Sequence, residues 1–245
     1  MEKKLVVIPT YNEKENVQDI ITLVMSFERQ YHILIVDDGS PDGTADLVKA
    51  LQTEFSERLH LVERTGKLGL GTAYICGFKW AIERKYDYIF EMDCDFSHKP
   101  QDLDRLLDAV TSGSDVAVGS RYINNMVNVV NWPMTRVLMS FFASKYVKFI
   151  TRMPIFDATA GFMCYKREVL ERIGLDRIKF VGYAFQIEMK FTSWKHGFKI
   201  AEVPVVFTDR VKGSSKMSMG IFKEAFFGVL QLKWRSWFRD YKKTA

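Results

Sequence analysis

The chain has 245 residues, 47% of them hydrophobic, and a formal net charge of +5. That is enough apolar material for one large α/β domain or two small ones, and the lack of long charge runs or low-complexity tracts excludes a disordered chain. The basic balance fits either an ordinary basic surface or an anionic partner (phosphate, nucleic acid or acidic lipid) and does not choose among them.

Leu5 to Ile8 reads as a buried strand stopped by Pro9. Residues 13 to 27 are predicted to be helical, with Val17, Ile20, Ile21, Val24 and Phe27 on one face. His32 to Val36 is a second strand, and "DDGSPDGT" is a turn leading into a helix from about Asp42. Leu59 to Val62 is a third strand, after which "GKLGLGTA" opens a helix to about Arg84. Tyr88 to Met92 is a fourth strand, followed by an acidic turn and a helix from Pro100; Val116 to Gly119 is a fifth. Beyond residue 124 the rhythm changes. Residues 134 to 150 read as a strongly apolar helix, and 167 to 173 and 185 to 196 as further helices. "KIAEVPVVF" is strand-like, and "GIFKEAFFGVLQLKWRSWFRDYKK" is an amphipathic helix.

Cys76, Cys94 and Cys164 are widely spaced with no CxxC, which disfavours zinc ribbons and redox dithiols and fits a reducing compartment. The N-terminal apolar run is too short for a signal peptide, and no stretch of about 18 apolar residues spans a bilayer.

Alternating strands and helices imply an α/β fold with a mostly parallel sheet covered on both faces. Ligands then bind beyond the carboxyl ends of the strands. "VVIPTYNE", "IVDDGSPD" and "MDCDFSH" all begin at such ends, so three polar clusters converge on one rim. The first turn lacks GxGxxG, which excludes a Rossmann dehydrogenase, and GK[ST] is absent, which excludes a Walker loop. Gly66, Gly69 and Gly71 serve either close helix packing or contact with a phosphate. Asp93 and Asp95, two apart on an extended chain, share a side and repel each other. A divalent ion, Mg²⁺ or Mn²⁺, completed by substrate phosphates would relieve that repulsion; the alternative is a cap for the following helix. Cys94 points the other way, into the core. Arg121 directly follows the fifth strand and points at the same rim, where it can bind an anion. Arg136, Arg210 and Lys216 are each, alone, ordinary surface charges.

The blocks "VVIPTYNEKENV", "IVDDGSPDGT", "GKLGLGTAY", "MDCDFSHKP", "GSRY", "DATAGF", "GYAFQIEM" and "DRVKGSSKM" resemble, in order, those of polyprenol-phosphate (dolichol-phosphate) mannose synthases. These are inverting glycosyltransferases of family 2 with the GT-A fold, and the likeness runs over about residues 4 to 219. It implies a catalytic domain over 1–219 and an amphipathic, membrane-interfacial helix over 220–245. It implies that Pro9, Tyr11 and Glu13 line the nucleobase pocket and that Asp37 and Asp38 contact the base and ribose of GDP-mannose. Asp93 would face ribose or metal, Asp95 would be the principal metal ligand, and Ser97 stands where relatives carry Gln or Ser, beside the metal. By its place in the motif, Cys94 joins the donor-binding residues. Arg121, Arg136 and Ser140 match positions holding the acceptor phosphate; Arg210 and Lys216 match a loop that closes on the diphosphate. Asp95, Arg121 and Arg210 would carry catalysis.

The implied reaction moves mannose from GDP-mannose to a polyprenyl or dolichyl phosphate, giving the β-mannosyl phosphate. A phosphate monoester is already anionic near neutral pH, so no carboxylate base is needed; cations must hold two anions together. Glu188 would then be structural or orient an arginine. The acceptor demands contact with a membrane surface. Residues 221 to 238 carry Ile221, Phe222, Phe226, Phe227, Leu230, Trp234, Trp237 and Phe238 among basic residues, which suits an interfacial helix or, alternatively, a core helix. The resemblance implies a cytoplasmic protein attached peripherally to the cytoplasmic face, with no nucleic-acid partner; a membrane partner subunit is compatible with it. The sequence ends at Ala245 without the transmembrane helices of some relatives. Alternatives are a polyprenyl-phosphate glucosyltransferase using UDP-glucose and a non-catalytic lipid-phosphate-binding module. A nucleotidyltransferase would carry a glycine-rich loop after strand one, and a receiver-like domain would place its acidic pair there; neither holds.

Overall fold

The computed structural model describes residues 2–123, 126–182, 184–209 and 219–241, with side chains at all of these but 219–225. The strands are β1 (Lys4–Thr10), β2 (His32–Asp37), β3 (Leu59–Glu63), β4 (Tyr88–Glu91), β5 (Val116–Ser120), the short β6 (Tyr122–Ile123), β7 (Met126–Val127) and β8 (Val129–Val130), then β9 (Met163–Lys166), β10 (Ile200–Pro204) and β11 (Phe207–Thr208). The helices are α1 (Val17–Met25), α2 (Thr44–Leu51), α3 (Leu70–Glu83), α4 (Asp102–Thr111), α5 (Met134–Thr151), α6 (Arg167–Arg172), α7 (Ala184–Lys195) and α8 (Met219–Arg235).

Seven strands form one sheet in the order β10-β5-β9-β4-β1-β2-β3. Every pairing in it is parallel except those of β9, which runs antiparallel to both β4 and β5. The expected α/β fold with a mostly parallel sheet is therefore present. β9 was not foreseen, and "KIAEVPVVF" divides between β10 and β11.

Period-two alternation separates two cores. Val6 and Ile8 of β1 and Ile33 and Ile35 of β2 face α1, α2 and α4. Leu5, Val7, Leu34 and Val36 face α3, α6 and α7 on the other side. The strands are buried on both faces, which is why they read as continuous apolar runs. α4 begins two residues later than predicted, with Asp102 and Asp104 in its first turn complementing the helix dipole. α1 is shorter than predicted, because residues 13–16 form a turn closed by the backbone of Glu13.

A third apolar cluster joins Val147 of α5, Ile187 and Phe191 of α7, and Val229 and Leu232 of α8. α8 thus docks one face on the protein. Phe226, Phe227, Leu230 and Trp234 remain exposed, as do Trp237 and Phe238 just beyond it and Met134, Leu138, Phe142 and Phe149 on α5. Among the described residues, no helix is long and apolar enough to cross a membrane.

Candidate active site

Parallel strands β1, β2, β4 and β5 all end on one rim, and the predicted site residues leave from those ends. At β2, Asp37 is fully buried. Its carboxylate accepts bonds from Thr10 Oγ1 (2.8 Å), Ser40 N (2.8 Å) and Ser40 Oγ (2.6 Å). Asp38 pairs with Arg64, whose Nε lies 2.7 Å from Oδ1. Arg64 also donates to Thr72 Oγ1 at 2.8 Å, tying the turn after β2 to the start of α3. Both acidic residues predicted to meet the donor therefore also organise the rim. Pro9 lies within β1; the Glu13 backbone N–H donates to Thr44 Oγ1 (3.1 Å), and the Glu13 carboxylate accepts from Asn16 Nδ2 (3.0 Å). The Tyr11 ring lies 5.0 Å from Lys67 Nζ, a residue that sequence reading passed over.

Gly69 and Gly71 serve close packing, whereas a Cβ on Gly66 would meet open space. Gly69 has φ of +100°, and a Cβ on Gly71 would sit 2.7 Å from the Phe185 ring and 3.0 Å from Phe180 O. Gly71 N also donates to Val181 O at 2.8 Å, so this loop is seated on the segment before α7.

Beyond β4, Asp93 accepts a bond from Tyr74 OH (3.2 Å), and Asp95 Oδ1 accepts one from Ser97 N (3.0 Å). Phe96 between them has φ of +57°, a left-handed conformation that costs a bulky residue energy and recurs at functional turns. Burial and the nearby charges of Asp93 and Glu91 push the Tyr74 hydroxyl well above its usual pKa. Cys94 packs in the first core, and burial raises its thiol, so only its backbone is placed to meet a donor. Ser97 is buried, and its Oγ has no hydrogen-bond partner among the described residues.

The donor set of Asp93, Asp95 and Ser97 is all hard oxygen, with Ser97 Oγ a buried polar atom left over, and so it fits Mg²⁺ or Mn²⁺. Among the described residues, no group of three or more His, Cys, Asp or Glu could hold a metal. The protein's share of such a shell is therefore partial, as expected where phosphates and water complete it.

On the side predicted to hold the acceptor, Arg121 is buried. Its Nε and Nη2 each reach Asp157 at 2.7 Å, its backbone N–H reaches the same carboxylate at 2.9 Å, and Nη2 also donates to Thr159 Oγ1 at 2.8 Å. Burial alone would raise the Asp157 pKa; the Arg121 charge and hydrogen bonds outweigh it and hold the carboxyl below its usual range. The guanidinium fork predicted to face the acceptor thus spends much of its hydrogen bonding on Asp157. Arg136 pairs with Asp209 (2.9 Å) and lies 4.1 Å from the centre of the Trp132 ring. Ser140, one turn on, is buried, and its Oγ has no hydrogen-bond partner among the described residues. Arg210 and Lys216 lie outside the described residues.

Phe207 joins the two sides. Its ring meets His98 at 5.1 Å, Trp132 at 5.1 Å and the Arg121 guanidinium at 5.6 Å, while Thr208 N donates to Ser97 O at 3.1 Å. His98, enclosed by Phe162 and Phe207, is pushed down to about 4 by burial and stays neutral. Phe207 thereby links His98 to Arg121 and Trp132, and through Trp132 to Arg136. Glu188 accepts the backbone N–H groups of Lys179 (2.8 Å) and Phe180 (2.9 Å), a structural role. A separate depression of about 580 Å³, lined by Glu2, Asp87 and Lys166 among others, lies at the opposite ends of the strands, away from this chemistry.

Comparison with known proteins shows the family and the fold. The chain is 46% identical over 230 residues to the polyprenol monophosphomannose synthase of Mycolicibacterium smegmatis, covering 94% of this chain and 86% of that one. It is 42% identical over 225 residues to the undecaprenyl-phosphate mannosyltransferase of Micrococcus luteus, covering 92% and 91%. Among solved structures, the fold matches the mannosyltransferase PcManGT of Pyrobaculum calidifontis in complex with GDP-Man and Mn²⁺. The TM-score is 0.62 at 19% identity, over 99% of this chain and 66% of that one. It also matches the Mycobacterium tuberculosis glucosyl-3-phosphoglycerate synthase, at a TM-score of 0.63 and 15% identity, over 94% and 78%. The model of glycosyl transferase family 2 matches residues 5–174, and the chain belongs to that family.

Proposed function

We propose that this chain transfers mannose from GDP-mannose to a polyprenyl phosphate, with inversion, at the inner face of a membrane. The observation that carries the reading is the juxtaposition of two carboxylates at the end of β4 with a cationic, aromatic side built from Arg121, Trp132 and Arg136. The names of relatives more than 40% identical over nine-tenths of the chain support the sugar and acceptor class.

Asp37, Asp38 and Tyr11 edge the place for the nucleoside. Asp93 and Asp95, with Ser97 beside them, would hold a divalent cation, which would supply Lewis-acid stabilisation of the departing nucleotide. Arg136 and Ser140 draw the acceptor phosphate alongside, with Arg121 and, from outside the described residues, Arg210 and Lys216 adding positive charge. The carboxylates bordering this side, Asp157 and Asp209, are each paired to an arginine and so are poorly placed as general bases. An acceptor that arrives already anionic suits that arrangement. In-line attack of a phosphate oxygen on the α-linked sugar gives the β-mannosyl phosphate. The exposed aromatic residues of α5, α8 and the segment after α8 lie in the membrane interface.

The test incubates the full chain with polyprenyl phosphate and labelled GDP-mannose, GDP-glucose or UDP-glucose, with Mg²⁺, Mn²⁺ or EDTA. Mannolipid formed from GDP-mannose and lost in EDTA is expected; a preference for UDP-glucose would overturn the sugar assignment. Asp95→Asn can keep the Ser97 hydrogen bond, so it should lower turnover by roughly a hundredfold or more while leaving the melting temperature nearly unchanged.

A further inference from the structure

Beneath the rim lies a polar network enclosed within the protein. Lys190 of α7 is fully buried, and its Nζ donates to Ala160 O and, at 3.2 Å, to Gln186 O. Glu91, the last residue of β4, is fully buried as well. Its carboxylate accepts Tyr165 OH at 2.8 Å and the side-chain amide of Gln186. Gln186 and Lys190 lie four apart on α7 and share a face. Burial pushes the Lys190 ammonium down to about 8; the charges of Glu91 and Asp157 act against that shift.

Each end of this network reaches one side of the site. Glu91 stands two residues before Asp93, and the Tyr74 hydroxyl that donates to Asp93 feels the Glu91 charge as well. Ala160 lies in the stretch before β9 that carries Asp157 and Thr159, the partners of Arg121. Ala160 N donates to Asp157 O at 3.4 Å, which joins the two residues in one turn. A Cβ on Gly161 would lie 3.5 Å from Gln186 Nε2, so the same stretch packs against the amide. Through two side chains, α7 thus ties the end of β4 to the support of Arg121. Stability alone is a weak reason for such a network, because apolar side chains of similar volume often stabilise a core as well or better. Its placement supplies another. Transfer between two bound anions depends on their separation, and a shift of about 1 Å can cost about a hundredfold in rate.

We propose that Lys190 is a positioning residue for the sugar transfer. It holds the turn of Asp157 and Thr159, and through that turn Arg121, at a fixed place relative to Asp93 and Asp95. Gln186 completes the link to Glu91. Without the ammonium both substrates still bind, but the two sides of the site no longer meet at the working distance. The proposal rests on the reading that these sides serve a sugar donor and a phosphate acceptor.

Its test uses the full chain with GDP-mannose, Mn²⁺ and a long-chain polyprenyl phosphate in detergent. Titration with GDP and Mn²⁺ counts the competent sites, and turnover is expressed per site. Lys190→Met removes the ammonium and nearly keeps the volume. It should lower kcat per site about tenfold or more, with the donor Kd and the number of sites as in wild type. Ile187→Val, in the third apolar cluster on another face of α7, should lower the melting temperature and leave kcat per site unchanged. Should Lys190→Met fail to fold, the double variant Glu91→Gln, Lys190→Met removes both charges together and carries the same expectation. Turnover per site at the wild-type value in a folded Lys190 variant would overturn the proposal. So would a loss confined to the number of sites, an equal loss of turnover in Ile187→Val, or failure of both Lys190 variants to fold, each of which would make the network merely structural. No transfer by wild type to polyprenyl phosphate would instead overturn the underlying function, and the positioning role with it.

Discussion

Asp157 and Arg121 are both enclosed, and each is the reason the other can stay charged. Removing one partner of such a pair strands a buried charge, at a cost of about 3–5 kcal/mol. Asp157→Asn should lower unfolding stability by about that amount in a urea titration, and adding Arg121→Met should return part of it. Additive losses in the double variant would mean that the pair is not coupled. At this scale, the sequence conveyed residue type and rim position: Asp93 and Asp95 follow β4 and Arg121 follows β5, on the same rim. It did not convey partnership. Nothing in "GSRY" says that its arginine is held by the aspartate of "DATAGF", 36 positions on, because that bond depends on how distant strands are ordered. Arg64, Tyr74 and Trp132 were missed for the same reason: their partners Asp38, Asp93 and Phe207 lie on distant segments.

Among the elements, α3 approaches the sheet closely at Gly77. A Cβ there would lie 2.4 Å from Val7 Cγ1 on β1. Gly77→Ala should therefore destabilise the fold by about 1–3 kcal/mol through overpacking, although alanine favours the helix by up to about 1 kcal/mol. Val7→Ala in the same chain should recover some of the loss; a neutral or stabilising single substitution would show that the helix can back away without cost. Strands and helices of the first 120 residues were legible because their apolar periods are clean, with boundaries off by one or two residues at most ends. β9 was not, since "MCYK" is four residues long and shows neither a turn signal nor a distinct period. α8 was legible as amphipathic, but its pattern could not say that Val229 and Leu232 face α5 and α7 while Phe227 and Trp234 stay outside.

For the molecule as a whole, two behaviours follow. At the β2–β3 edge of the sheet, His32, His60 and Tyr86 form a cluster in which Tyr86 OH lies 3.0 Å from His32 Nδ1 and 3.3 Å from His60 Nε2. Burial first, then the neighbouring His60 and Arg58, push His32 down to about 4 from 6.5. Between those values the unfolded chain binds more protons, so this contribution to stability is intact above about pH 6.5 and is lost as pH falls toward 4. Melting temperatures recorded from pH 7 to pH 4 should fall more steeply for wild type than for His32→Gln; parallel curves would dismiss His32 as the cause. The second behaviour is membrane contact. Serine at Trp234, Trp237 and Phe238, all exposed, should weaken co-sedimentation with anionic vesicles at least severalfold without altering the melting temperature. Undiminished binding would place the contact elsewhere.

The antiparallel β9 carries a consequence of its own. It is a spacer: with one strand between them, β4 and β5 lie two strand intervals apart, roughly 10 Å, which sets the gap between the Asp93 and Arg121 sides. Its direction matters as much as its width. Because β9 runs against its neighbours, the residues that lead into it arrive at the rim rather than at the far end of the sheet. Asp157 and Thr159 are delivered to Arg121 by that reversal. A parallel strand in the same slot would leave the same gap but bring its leading residues to the wrong end, and the arginine at the end of β5 would have lost its counter-ion.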